Sequence, residues 1–235
     1  MSLNVSALTK KYGKHTACDG LSLTVEAGST TVLLGPNGAG KSTLIKSIIG
    51  FLRYDGVITV DGVDNRSSEG KRLLGYVSEI PALYPNLTVA EHMELVARAY
   101  RLTDYKSYAE ELLDRFELTD KKKKFGDELS KGMSQKLNLC LGLLPRPKYL
   151  LLDEPMIGLD PHAIKELREL IDEHRAADGG ALICTHMIDS VDMLWDNALI
   201  LNKGRLAAAL TKAELAERGV SLEDTFFSLT EGEEK

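Results

Sequence analysis

A chain of 235 residues, 43% hydrophobic and 27% charged, can bury a sizeable core and has the composition of an ordinary soluble fold. Its formal net charge of −6 argues against nonspecific nucleic-acid binding, which depends on basic surface, so no nucleic-acid partner is expected. No run approaches the ~18 apolar residues that a membrane span needs, and the start, Met1-Ser2-Leu3-Asn4-Val5, lacks the basic-then-apolar pattern of a signal peptide. Cys18, Cys140 and Cys184 are widely spaced and odd in number, which fits reduced cytosolic thiols in a core better than a disulfide framework or a metal site.

Residues 3–34 alternate short β-like runs with turns, ending in the apolar run Thr31-Val32-Leu33-Leu34. There follows Gly35-Pro36-Asn37-Gly38-Ala39-Gly40-Lys41-Ser42-Thr43, a full match to G-x-x-x-x-G-K-[ST]. A helix-like run (Leu44, Ile45, Ile48, Ile49, Leu52) comes next, so the motif has the strand-loop-helix context that separates it from a chance match. Its glycines let consecutive N–H groups point inward, and the helix N-terminus adds partial positive charge. Lys41 can reach the outer phosphates of a nucleoside triphosphate and the Ser42 hydroxyl can ligate Mg²⁺.

Beyond a strand over residues 56–62, the period becomes helical. Thr88 and Glu91 form a capping box ahead of Val89, Met93, Val96 and Tyr100 on one face. A second stripe holds Tyr105, Tyr108, Ala109, Leu112, Leu113 and Phe116. A third helix runs from Ser130 with Met133, Leu137, Leu141 and Leu144 inward, and Lys121–Lys124 between them reads as a solvated loop. Tyr149-Leu150-Leu151-Leu152 and Ala181-Leu182-Ile183-Cys184 lack alternation and read as buried strands, with a helix between them that Asp160 caps and Pro161 opens. Asn197–Leu201 is a further strand, and Thr211/Glu214 and Ser221/Glu223-Asp224 open short helices in the tail. Asp153 and Glu154 stand at the C-terminal end of a buried strand, where open parallel sheets bind ligands. Asp153 suits Mg²⁺, and Glu154 suits orienting or deprotonating a water. His186, past the neighbouring strand, is placed to touch a γ-phosphate.

Together these stretches resemble the ATP-binding-cassette (ABC) ATPases over nearly the whole chain. Leu129-Ser130-Lys131-Gly132-Met133 looks like the family signature, usually Leu-Ser-Gly-Gly-Gln, which other phosphate-loop families lack. Gly158-Leu159-Asp160 resembles the D-loop, Cys184-Thr185-His186 the switch histidine, and Gly75-Tyr76-Val77-Ser78-Glu79 the Q-loop. Tyr12, in Lys10-Lys11-Tyr12-Gly13, falls where the family stacks an aromatic on adenine. Asn202-Lys203-Gly204-Arg205 lacks the Asp of a guanine-reading motif, so adenine is favoured.

The resemblance implies an α/β fold: a P-loop NTPase core of mostly parallel sheet, an antiparallel β subdomain and an inserted α-helical subdomain. The core is expected over 1–80 and 147–235, and the helical insertion over 81–146. The implied cofactors are ATP and Mg²⁺. Gly35 to Thr43 would hold the phosphates, and Ser42, Glu79 and Asp153 the metal. Glu154 would act as general base, His186 would stabilise the γ-phosphate, and Lys41 would bind the outer phosphates. Two cassettes would pair head to tail, Ser130 and Gly132 of one facing the nucleotide held by Lys41 of the other, with Asp160 connecting the two sites.

Two departures stand out. Glu79 replaces the usual Gln, offering a hard ligand but also negative charge near the γ-phosphate. Met133 replaces a Gln and cannot donate a hydrogen bond, and Lys131 adds a positive charge. With Pro81 to Thr88, these features resemble ATPase subunits of bacterial exporters whose membrane protein is a separate chain. The expected partners are therefore a polytopic permease and a second ATPase subunit, identical or not, and the expected location is cytoplasmic, peripheral on the inner membrane face. The competing readings are a soluble ABC machine in translation, repair or cofactor assembly, and a switch that holds ATP without turnover.

Overall fold

The computed structural model describes residues 1–191 and 193–230. Its backbone is organised by two sheets. Strands β1 (Ser2–Tyr12), β2 (His15–Glu26), β4 (Asp55–Val60) and β5 (Val63–Asp64) form an antiparallel four-stranded sheet in the order β2-β1-β4-β5. The second sheet has six strands in the order β10-β9-β3-β8-β7-β6. It comprises β3 (Thr30–Leu34), β6 (Leu74–Val77), β7 (Tyr149–Asp153), β8 (Gly180–Thr185), β9 (Asn197–Asn202) and β10 (Arg205–Thr211). All its neighbours run parallel except the edge strand β10.

The unbroken apolar runs of β3, β7 and β8 are explained by burial on both faces. Alternate residues serve two separate cores. Val32, Leu34, Leu150, Leu152 and Ile183 face one, with helices α3 (Val89–Tyr100), α4 (Lys106–Arg115), α5 (Lys131–Leu143) and α6 (Pro161–Ala176). Leu33, Tyr149, Leu151, Leu182 and Cys184 face the other, with α1 (Lys41–Ile48) and the antiparallel sheet. The parallel sheet is thus a wall between the helical lobe and the antiparallel layer, and its C-terminal edge lies open between them. All three cysteines are free and buried.

The capping signals are realised as read. Thr88 Oγ1 accepts from Glu91 N at 3.2 Å while Glu91 Oε2 accepts from Thr88 N at 2.7 Å. Asp160 Oδ1 accepts from Ala163 N at 2.9 Å, ahead of Pro161. Ser130 Oγ accepts from Met133 N at 3.3 Å.

Several elements depart from the sequence reading. The short runs of residues 3–34 include two long strands, because bulges between Val5 and Lys11 interrupt the alternation that marks a continuous strand. Helix α1 stops at Ile48, ahead of Gly50 in a left-handed conformation (φ 79°), so Leu52 lies beyond it. Helix α2 (Ser68–Arg72) and strands β5, β6 and β10 add to the elements legible in the sequence. Lys121–Lys124 is more than a solvated loop: the Lys124 and Lys122 carbonyls accept from Val89 N (3.0 Å) and Ala90 N (3.1 Å) at the start of α3. Lys122 also pairs with Glu110. In the tail, α7 (Lys212–Arg218) and α8 (Leu222–Thr230) follow their capping residues.

Candidate active site

The loop between β3 and α1 is fixed by contacts that only glycine allows. Gly40 has φ 108°, and a Cβ there would lie 2.4 Å from the Ala17 carbonyl oxygen. Gly35 has the same constraint against Leu201, at 2.7 Å. Further bonds hold the loop against the β9–β10 turn, with Gly204 N donating to Ala39 O at 3.0 Å. Lys41 is buried, and its ammonium donates to Gly35 O at 2.5 Å and Pro36 O at 3.3 Å. The loop's own carbonyls therefore hold the cation within its curl, at the N-terminus of α1.

A cavity of about 390 Å³ opens over this loop. Tyr12, His15 and Ala17 line one side, residues Asn37 to Thr43 the floor, and Glu79, Glu154 and His186 the far side. Gly35 and Pro36 stand behind the floor as the carbonyl partners of Lys41. Tyr12 is 48% exposed, and the Lys10 ammonium lies over its ring, 5.0 Å from the centroid. His15 and Ala17 carried no sequence signal; the β1–β2 hairpin brings them in, with His15 paired across from Tyr12.

Ser42 and Glu79 also border an adjoining cavity of about 400 Å³, which Asp153 lines. Asp153 is buried at the end of β7, and its carboxyl is pushed above the ordinary range by desolvation, and further by Glu79 and Glu154; a hydrogen bond with Ser42 opposes the rise. A hydroxyl and two carboxylates, with Lys46 lining the same cavity, form a hard oxygen donor set that fits Mg²⁺.

Glu154 follows in a left-handed backbone conformation (φ 49°) with its N–H on Cys184 O at 2.8 Å. Its carboxylate is buried and fully engaged. Oε2 accepts from Thr185 Oγ1 at 2.9 Å, while Oε1 accepts from His186 N at 3.0 Å and lies 2.7 Å from His186 Nδ1. His186 and Glu154 are thus brought together directly, a pairing that the strand order β8-β7 permits and the sequence did not disclose.

Ser130, Gly132 and Asp160 line neither cavity. Ser130 is exposed at the N-terminus of α5, and a Cβ on Gly132 would stand 3.1 Å from the Gly158 oxygen. Asp160 caps α6 and pairs with the buried Lys136 ammonium at 2.7 Å, which also meets Glu117 at 3.0 Å. The Lys136 hydrogen bond, then that from Ala163 N, hold the Asp160 carboxyl below the ordinary carboxylate range. The signature and D-loop stretches therefore adjoin each other on one surface.

Comparison with known proteins agrees with this geometry. A family model described as ABC transporter matches residues 18–157, more than half of the chain. The chain is 35% identical to the ABC-type transporter ATP-binding protein EcsA of Bacillus subtilis, over 97% of this chain and 96% of that one. It is 34% identical to the linearmycin resistance ATP-binding protein LnrL of the same organism, over 92% of this chain and 71% of that one. A solved structure of the ATP-binding subunit of an ABC transporter superposes with a TM-score of 0.93 at 34% identity, covering 97% of this chain and 99% of that one. With the phosphate loop, Asp153-Glu154 and the signature stretch in place, the chain belongs to the ABC transporter family, as an ATP-binding subunit and ATPase.

Proposed function

We propose that this subunit works as half of a head-to-tail pair that closes around two Mg-ATP and drives a separate membrane permease outward. The observation that carries the reading is the separation of Ser130 and Gly132 from the cavity over Lys41. A helix N-terminus with a hydroxyl and free N–H groups suits an anionic phosphate. In the monomer it faces no nucleotide of its own, so a second copy or a related subunit is the natural complement. Residues 81–146 are the lobe that would carry this surface, and 1–80 with 147–235 the core that would hold the nucleotide.

Within the closed site Tyr12 would stack on adenine, and residues 35–43 would wrap the phosphates. Ser42, Glu79 and Asp153 would hold Mg²⁺, which supplies charge neutralisation at the β- and γ-phosphate oxygens. Glu154 would accept the proton of the attacking water as general base, once His186 leaves its carboxylate for the γ-phosphate. Asp160, beside the partner's phosphate loop, would connect the two sites.

The permease reading is supported by exposed apolar side chains around the second cavity. Ile80 is 77% and Phe51 73% exposed, beside Ala82 and Leu83. No helix among the described residues is long and apolar enough to cross a membrane. The export direction is supported by a relative named for Nod factor export in Rhizobium meliloti and by the resemblance of Glu79, Met133 and Pro81 to Thr88 to exporter subunits.

The direct test is Glu154→Gln. It is expected to lower turnover by roughly 10²–10⁴-fold and to trap an ATP-bound dimer by size-exclusion chromatography. Native turnover in this variant, or a strictly monomeric ATP complex, would count against the proposal.

A further inference from the structure

Resting on the reading of Glu154 as general base, we infer that Thr185 is a positioning residue for that base, holding one carboxylate oxygen while the other exchanges partners. The two oxygens of Glu154 are held differently. Oε1 is shared by the His186 backbone N–H and its ring Nδ1, both on a segment that follows the end of β8. Oε2 is held by the Thr185 hydroxyl alone among these contacts, at 2.9 Å.

Thr185 is suited to a fixed role. It is the last residue of β8, 3% exposed, and β8 lies between β3 and β7, the two strands that deliver the phosphate loop and Glu154. Its hydroxyl has a single proton and two lone pairs. Met187 N donates to the oxygen at 3.0 Å, so the hydroxyl is turned by an acceptor role toward the backbone and by its one donor role toward Oε2. A β-branched side chain in a buried strand is also stiff at χ1. His186, in contrast, is half exposed: its side chain keeps 46% of its surface in solvent.

The consequence is a pivot. When the His186 ring leaves Oε1 for a phosphate, the lone pair it occupied becomes available to a water, while Thr185 keeps Oε2 in place and the His186 backbone N–H stays on Oε1. The carboxylate then presents one defined oxygen instead of rotating between two. This matters because Glu154 lies just past the end of β7 on a left-handed backbone (φ 49°), so its carboxylate depends on β8 and the residues after it for its orientation. Positioning of this kind acts on the chemical step and leaves nucleotide affinity alone, since Thr185 lines no part of the cavity over Lys41.

The test compares Thr185→Val, Thr185→Ala and Thr185→Ser in the full chain, with ATP turnover and ATP affinity measured separately and thermal unfolding of each variant alongside. Val and Ala are expected to lower kcat by roughly tenfold or more, the equivalent of one lost hydrogen bond in the transition state. KM for ATP is expected to stay within about twofold, and Ser to return kcat to within about threefold of the native chain. Should Val fail to fold, the Ser–Ala contrast carries the test, because those variants differ only in the hydroxyl. Native kcat in Ala or Val, a Ser variant as slow as Ala, or equal changes in kcat and KM would overturn the inference. Glu154→Gln run in parallel separates the two levels. Native turnover there removes the general-base reading itself, whereas lost turnover there with native turnover in Thr185→Ala removes only the role of Thr185.

Discussion

The phosphate loop and the signature surface use the same device, a helix N-terminus, in opposite settings. At α1 the surroundings are complete: Lys41 is buried in the curl of its own loop, Asp153 ends strand β7 and Glu154 follows it. At α5 the N-terminus is presented to solvent, with Ser130 exposed and the adjoining Asp160 anchored only through Lys136 and its cap. In the proposed reading one end is a preorganised receptor, and the other is a surface that would meet the nucleotide of a partner subunit. The difference predicts that binding and catalysis separate by mutation.

The largest expected effect is at the receptor. Lys41→Ala would remove the proposed charge-assisted bond to the outer phosphates and is expected to weaken ATP binding by roughly 10²-fold even in the isolated subunit. Isothermal titration or a fluorescent nucleotide would read it. At the surface, Ser130→Arg is expected to cost turnover by roughly 10²-fold, on the scale of losing one donor to a developing anion. ATP affinity of the isolated subunit should change by less than about twofold. A parallel loss of binding in Ser130→Arg would erase the distinction between the regions.

Tyr12→Ala sharpens the receptor side. Base stacking on the order of 1–3 kcal/mol predicts that KM for ATP rises roughly tenfold with kcat little changed. The smallest effect concerns stability. Desolvation raises the Asp153 carboxyl, so the folded state holds that proton more tightly than the unfolded chain. Its ionisation therefore costs stability as pH rises through and above the ordinary carboxylate range. Asp153→Asn in metal-free buffer is expected to raise Tm by about 2–4 °C at pH 7, with the gain shrinking as the pH falls below that range, while turnover is lost. An unchanged or lower Tm at pH 7 would show that burial does not strain this carboxylate.

Legibility in the sequence followed the same division. The phosphate loop could be read because its glycines answer a local steric demand, as at Gly40, and the buried strands because both faces of β7 and β8 are covered. Strand β10 is not legible because Leu206 to Leu210 is alanine-rich and helix-favouring, and pairing with β9 across the left-handed Lys203-Gly204 turn makes it a strand. Strand β6 was hidden by Gly75, whose missing Cβ admits Pro147 and the Gly142 carbonyl. The Glu154–His186 contact and the Thr185 bond depend on which strands lie side by side, and no local pattern encodes that. Nor did spacing reveal that Lys136 and Glu117 would anchor Asp160.

The central claim, that the receptor of one subunit is completed by the surface of another, is tested most directly by mixing two inactive variants. Lys41→Ala keeps an intact signature surface, and Ser130→Arg keeps an intact phosphate loop. A head-to-tail pair of one with the other contains one composite site built wholly from native residues. The account predicts that each variant alone is inactive and that the mixture recovers a substantial part of native ATP turnover, with a maximum near equal proportions. A mixture as inactive as its components, with pairing confirmed by size, would contradict it.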